Sequence, residues 1–136
     1  MTAQQLEVLR AMGADFGQCP VCLRQACEGP RAHLAAGAVY VIQAGGPTGN
    51  IKIGWSCDVW ERLRHLQSST ACSDTLALLG CQPAHRFYEG HLHWLARDEH
   101  VRGEWFRFDG RALSVARSIV AFAEKFDLPR EAWSRA

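Results

Sequence analysis

No run of 18 apolar residues occurs anywhere in the 136-residue chain, so no membrane-spanning helix is expected. An excess of charge of one sign is also missing: 15 Lys and Arg stand against 14 Asp and Glu, a net +1. Proteins that bind nucleic acid through their whole surface are far more basic, so any basic patch here must be local. The opening stretch from Met1 to Cys19 has an early acidic residue and no apolar run, and does not read as a secretory signal. Internal repeats and low-complexity tracts are absent too. An apolar fraction of 48% with 21% charged residues excludes wholesale disorder, and the length suits one domain with a real core. Six cysteines in a chain with no export signal read as reduced thiols or metal ligands rather than disulfides. The expected compartment is therefore the cytoplasm.

What is present changes character along the chain. Leu6, Leu9 and Met12 recur three apart, which suits a short amphipathic helix from Gln4 to Met12. A cysteine-rich loop follows from Cys19 to about Gly37. Ala38 to Gln43 is β-branched and aromatic and reads as a strand; Ala44 to Asn50 is a turn by its Gly and Pro content; Ile51 to Ile53 returns as a second strand. Asp58 stands three residues before Glu61, a capping spacing that opens a helix to about Gln67, with Leu63 and Leu66 inward. Thr75 to Gly80 reads as a third strand. A helix is expected from about Ala84 to Arg97, with Phe87, His91, Leu92 and Leu95 on its buried side. Glu104 to Phe108 is a short extended segment, with Trp105 and Phe106 read as core. Ala112 to Phe126 closes as a helix on Val115, Ile119, Phe122 and Phe126. The pattern predicts an α+β fold: a small antiparallel three-stranded sheet flanked by helices, preceded by a cysteine-rich segment. The expected divisions are 1–36 for that segment, 37–110 for the central domain and 111–136 for a C-terminal helix packed on it.

Hydrolysis of a phosphodiester needs a group to activate water, a cation to neutralise developing charge, and a carboxylate to hold any metal. Tyr40 and Lys52 on paired strands, Arg62 on the next helix, and Glu89 with His93 one turn on from it form such a set. Taken singly, each has a bland reading: a strand tyrosine, a solvent-facing lysine, an Asp58–Arg62 surface pair, a solvated helix face.

Their order raises them. Ala38-Val39-Tyr40, then a hairpin, Lys52-Ile53-Gly54, Asp58 to Leu63, Glu89 with Leu92 and His93, and Gly103-Glu104-Trp105-Phe106 resemble the GIY-YIG nuclease superfamily over about 37–108. The likeness is to its phage and bacterial branch, named for a meiotically up-regulated gene. The resemblance implies a compact sheet flanked by helices and metal-dependent endonuclease activity on DNA with one Mg²⁺ (or Mn²⁺), of phage, mobile-element or restriction-like character. Tyr40 then corresponds to the general base or water-positioning group, and Lys52 stands where a second tyrosine is usual and could lower a neighbouring phenol's pKa. Arg62 corresponds to the transition-state cation, Glu89 to the metal ligand, and His93 joins the catalytic set. The family's Gly and Ile are replaced by Ala38 and Val39. Its late asparagine is missing, since Asn50 is the only one here, and Glu104 is the candidate in its place. A competing reading is a catalytically weak or inactive module that binds nucleic acid or a protein. A single-site nuclease cutting both strands needs two copies or two encounters, so monomer and homodimer both stay open.

A second constellation is Cys19-x2-Cys22-x4-Cys27-x5-His33, four ligands suited to a tetrahedral structural Zn²⁺. The bland alternative is reduced thiols with Cys27 buried and His33 exposed. Cys57, Cys72 and Cys81 are scattered and read as inert, and His91 as a core histidine.

Overall fold

A computed structural model describes residue 4 and residues 19–23, 27–69 and 74–131. The helix expected over Gln4 to Met12 lies, Gln4 apart, outside these residues, as does Cys72. Five strands form one antiparallel sheet: β1 (Ala38–Ala44), β2 (Ile51–Ser56), β3 (Leu76–Pro83), β4 (His100–Arg102) and β5 (Trp105–Phe106). Their order is β3-β1-β2-β5-β4. From residue 19 on, the described residues form three α-helices beside them, α1 (Val59–Gln67), α2 (Phe87–Leu95) and α3 (Gly110–Lys125), with 3-10 turns at Pro30–Ala36 and Arg97–Glu99. None of the described helices is long and apolar enough to cross a membrane.

β1 lies between β3 and β2 and is buried on both faces, which explains its near-continuous apolar run. Val39 and Val41 point into a core shared with Ile53, Leu92 and Ile119, while Tyr40 and Ile42 point into a second core roofed by Val59 and Leu63 of α1. The β1–β2 hairpin is pinned by Gln43, whose buried amide donates to the carbonyls of Pro47 and Gly49 at 3.1 and 2.9 Å. α1 begins as its sequence predicts: the Asp58 carboxylate accepts from the Glu61 amide at 3.0 Å. Asp58 is therefore a cap.

Two expectations need correction. The sheet has five strands rather than three, because Gly103 turns at φ +54 and folds His100–Arg102 back onto Trp105–Phe106 as a second hairpin on the edge of β2. β4 is exposed at all three residues and carries no alternating pattern to read. The second helix is also shorter than expected and turned differently. Leu92 is its one buried residue, and at about 100° per residue His91 lies about 100° and Phe87 about 140° from it. Both are exposed, with the His91 ring stacked on Tyr88 at 5.8 Å rather than in the core. Phe106, by contrast, is core as expected, with Trp105 half-buried.

Candidate active site

The pairing register decides which side chains meet. Tyr40 lies directly across from Gly54, and Ile42 across from Lys52, so Tyr40 and Lys52 share the face that α1 covers. Gly54 has no side chain, and the Tyr40 ring lies over it: a Cβ there would fall 2.3 Å from the phenol oxygen. Arg62 of α1 stands near enough to that phenol to pull its pKa down, and its Nη1 lies 3.4 Å from His65 Nδ1. Lys52 is buried rather than solvent-facing. Its ammonium lies 2.8 Å from Glu104 Oε2 and 5.8 Å from the centre of the Trp105 ring.

β5 covers the outer edge of β2 only in part. It pairs with Ile51 and Lys52, and the Ile53 amide donates to the Glu104 carbonyl at 3.0 Å. The Ile53 carbonyl is met by His93 of α2 instead, with Nε2 at 2.7 Å. A carbonyl only accepts, so Nε2 carries the proton. Glu89, one helical turn before His93, sits 3.8 Å from the same nitrogen and lies beside the Glu104 carboxyl. The structure thus gathers Tyr40 with Arg62, and Glu89 with Glu104, Lys52 and His93, around one end of β2.

The electrostatics follow from this crowding. Burial, then the neighbouring Glu104 carboxylate, push Glu89 up from 4.5 to about 7, against the pull of Lys52 and Arg86. Burial also works against ionised Glu104, but its neighbours Glu89 and Lys52 win and hold it below the usual carboxylate range. Near neutral pH Glu89 is therefore the carboxyl that keeps a proton, beside an ionised Glu104. Burial raises the Tyr40 phenol despite the Arg62 guanidinium. The expectation that Lys52 lowers a neighbouring phenol is thereby corrected: the cation at Tyr40 is Arg62, and Lys52 is spent on Glu104.

A protein-family model described as the T5orf172 domain matches residues 37–124. The chain belongs to the T5orf172 domain family. Comparisons with curated proteins and with solved structures return no match. The T5orf172 match spans every strand and helix that contributes to the site, from β1 to β5.

The cysteine cluster lies ahead of the T5orf172 domain. Ligand atoms of Cys19, Cys22, Cys27 and His33 all lie within 4.8 Å of one another, and the cluster could hold a zinc ion. Cys27 Sγ is 3.2 Å from His33 Nε2, and both residues are half-buried. Cys19 is buried, yet the amides of Cys22 and Val21 outweigh that burial and bring its thiol down to about 7. Among the other described cysteines, Cys57 is exposed, and Cys81 is buried against the Pro129 carbonyl with its thiol pushed up to about 12 by burial.

Two residues that matter here escape sequence reasoning. Glu99 is 6% exposed and accepts from the Ala112 amide at 2.8 Å, so it caps α3 from outside the helix. Asp109, the residue at the cap position, makes no side-chain cap bond. Arg86 stands 5.5 Å over the Trp55 ring and contributes to the field at Glu89. Gly54 was legible as part of a motif, although its purpose, room for the Tyr40 ring, was not.

Proposed function

We propose that this protein is a divalent-metal-dependent endonuclease of the GIY-YIG type that hydrolyses phosphodiester bonds in DNA. The observation that carries the reading is the convergence of Tyr40–Arg62 and Glu89–Glu104–Lys52 on one end of β2. Membership of the T5orf172 domain family is compatible with a nuclease or DNA-binding role.

Each side chain then has a task set by its surroundings. Tyr40, kept protonated by burial, orients the attacking water by a hydrogen bond. Arg62 opens on a depression of about 440 Å³ that it lines with Ser56, Asp58 and His65, and its guanidinium stabilises charge growing on the phosphate. Glu89, with Glu104 beside it, holds Mg²⁺ or Mn²⁺. When bound, the ion supplies Lewis-acid charge to the phosphate oxygens. Lys52 fixes the Glu104 carboxylate. His93, with Nε2 committed to the Ile53 carbonyl, positions Glu89 rather than exchanging protons itself. Water's oxygen bonds to phosphorus and gives up a proton to solvent as one ester P–O bond breaks, and the departing oxygen takes a proton from solvent, so that none is gained or lost overall.

The test is plasmid nicking in Mg²⁺ or Mn²⁺ against EDTA, with wild type and Glu89→Gln side by side. Metal-dependent cutting by wild type that is lost in Glu89→Gln supports the reading. Full activity in Glu89→Gln would sink it. A second reading, a DNA-binding module that does not cut, is favoured by the missing late asparagine and the net charge of +1. It predicts metal-independent DNA binding that weakens steeply with salt, with no nicking by wild type.

A further inference from the structure

We propose that Cys19, Cys22, Cys27 and His33 bind one structural Zn²⁺ in a closed tetrahedral site that fastens the segment ahead of the T5orf172 domain to the sheet. Zn–S bonds of about 2.3 Å and a Zn–N bond of about 2.0 Å set ligand-to-ligand distances of about 3.5–3.8 Å. Four ligand atoms already within 4.8 Å of one another, with Cys27 Sγ and His33 Nε2 at 3.2 Å, need only small shifts to reach that geometry.

The backbone around the sulfurs is arranged for thiolates. The Gly29 amide donates to Cys27 Sγ at 3.4 Å, and the chain between Cys19 and Leu23 is a tight knuckle closed by a Leu23 amide to Cys19 carbonyl bond of 2.7 Å. Leu23 takes φ +63, an uncommon conformation for a branched residue and one that a cross-link can hold. Apolar burial offers little else. Among the described residues 19–23 and 27–30, only Cys19 and Pro30 are buried, and Val21 and Leu23 are exposed at 38% and 56%. A segment with so small a core is held by a staple, and a metal with four protein ligands is one.

All four positions are filled by protein, so the ion has no open site for water or substrate and does not take part in hydrolysis. Its effect passes through the 3-10 turn Pro30–Ala36, which leads directly into β1. Leu34 of that turn packs in the same core as Tyr40, and Arg31 pairs with Asp127 beyond α3. The zinc thus holds the strand entry that carries Tyr40.

Metal content of the full-length protein, purified without a metal-affinity tag, should be about one zinc per chain. Cobalt replacement should give the intense visible absorption of a tetrahedral thiolate site. Cys22→Ser and Cys27→Ser should fall to below about one-tenth of that zinc and melt lower, whereas Cys57→Ser should keep both metal and melting point. Because a ligand variant may simply misfold, wild type is also stripped with a strong chelator: its melting point should fall and return on adding Zn²⁺. Zinc retained by Cys27→Ser, an unchanged melting point after stripping, or a Cys19–Cys22 disulfide (a mass loss of two hydrogens) in metal-free native protein would each overturn the assignment.

Discussion

Substituting Gly54 by Ala tests the proposed site without touching a charged or proton-bearing group. The added Cβ would stand 2.3 Å from the Tyr40 phenol oxygen and 2.4 Å from the ring carbon that bears it, where ordinary contact begins at 3.4 Å. The ring must therefore retreat by about 1 Å, or the two strands must part. Neither is cheap: Tyr40 is 1% exposed, and Val59 and Leu63 pack in the core it occupies. Overpacking of this kind costs about 1–3 kcal/mol. A displacement of about 1 Å at a group that orients the attacking water costs about a hundredfold in rate. Chemical denaturation and plasmid nicking on the same preparation read both effects. Removing the ring should remove the conflict. In a Tyr40→Ala background, itself destabilised by about 3–5 kcal/mol, Gly54→Ala should add almost nothing, leaving a coupling of about 1–3 kcal/mol between the two positions. Gly54→Ala that unfolds like wild type and nicks within about threefold of its rate would refute the reasoning.

The carboxyl pair predicts a pH dependence. Glu89 is raised to about 7, so the stability contributed by its neutral form is complete below 4.5 and lost as pH rises through about 7. In EDTA, Glu89→Gln should therefore gain on wild type between pH 5 and pH 8. The gain should be about 1 kcal/mol, well under the full shift, because the side chain keeps 22% of its surface in solvent. Urea unfolding at each pH checks this, and a difference that stays flat would count against a raised Glu89. Mg²⁺ binding followed by calorimetry should tighten over the same interval as the Glu89 proton is released. Arg62→Ala should stay folded, since Arg62 is only half-buried, yet lose about 10²–10³-fold in nicking with DNA binding changed far less. Arg62→Lys should recover little, because an ammonium lacks the planar fork. Glu99→Ala should cost about 2 kcal/mol by stripping the α3 amide of its partner, visible in a melt, while nicking by the folded fraction stays at the wild-type rate.

Legibility in the sequence followed how local each determinant is. The β1–β2 hairpin, the Asp58 cap and the ligand spacing from Cys19 to His33 are each written within a single short stretch of chain, and the structure shows the hairpin, the cap and the cluster. β4 escaped because three exposed residues have no core side to alternate with, and its partner is two residues long. The buried face of α2 was misjudged because a nine-residue helix with Leu92 as its one buried residue gives almost no periodic signal. Glu99 reads as surface in the string Asp98-Glu99-His100, and only the arrival of α3 from downstream makes it an interior cap. The partner of Tyr40 likewise depended on register. The family resemblance put a lysine near a phenol; the ladder sets that lysine two pairs along, opposite Ile42, and Arg62 is the cation beside the ring.

The same register explains why three consecutive residues of β2 carry so much of the candidate site. Lys52 binds the Glu104 carboxylate through its side chain. Ile53 acts through its backbone, with its amide on the Glu104 carbonyl and its carbonyl on His93, while its side chain is core. Gly54 acts by having no side chain, which admits the Tyr40 ring. Each residue thus fixes a different distant element: the β4–β5 turn, α2 and β1. Lys-Ile-Gly is in this light a junction and not a string of reactive groups. A central residue that touches no reacting atom still matters there, because its side chain anchors β2 in the core while its two backbone groups fix Glu104 and His93.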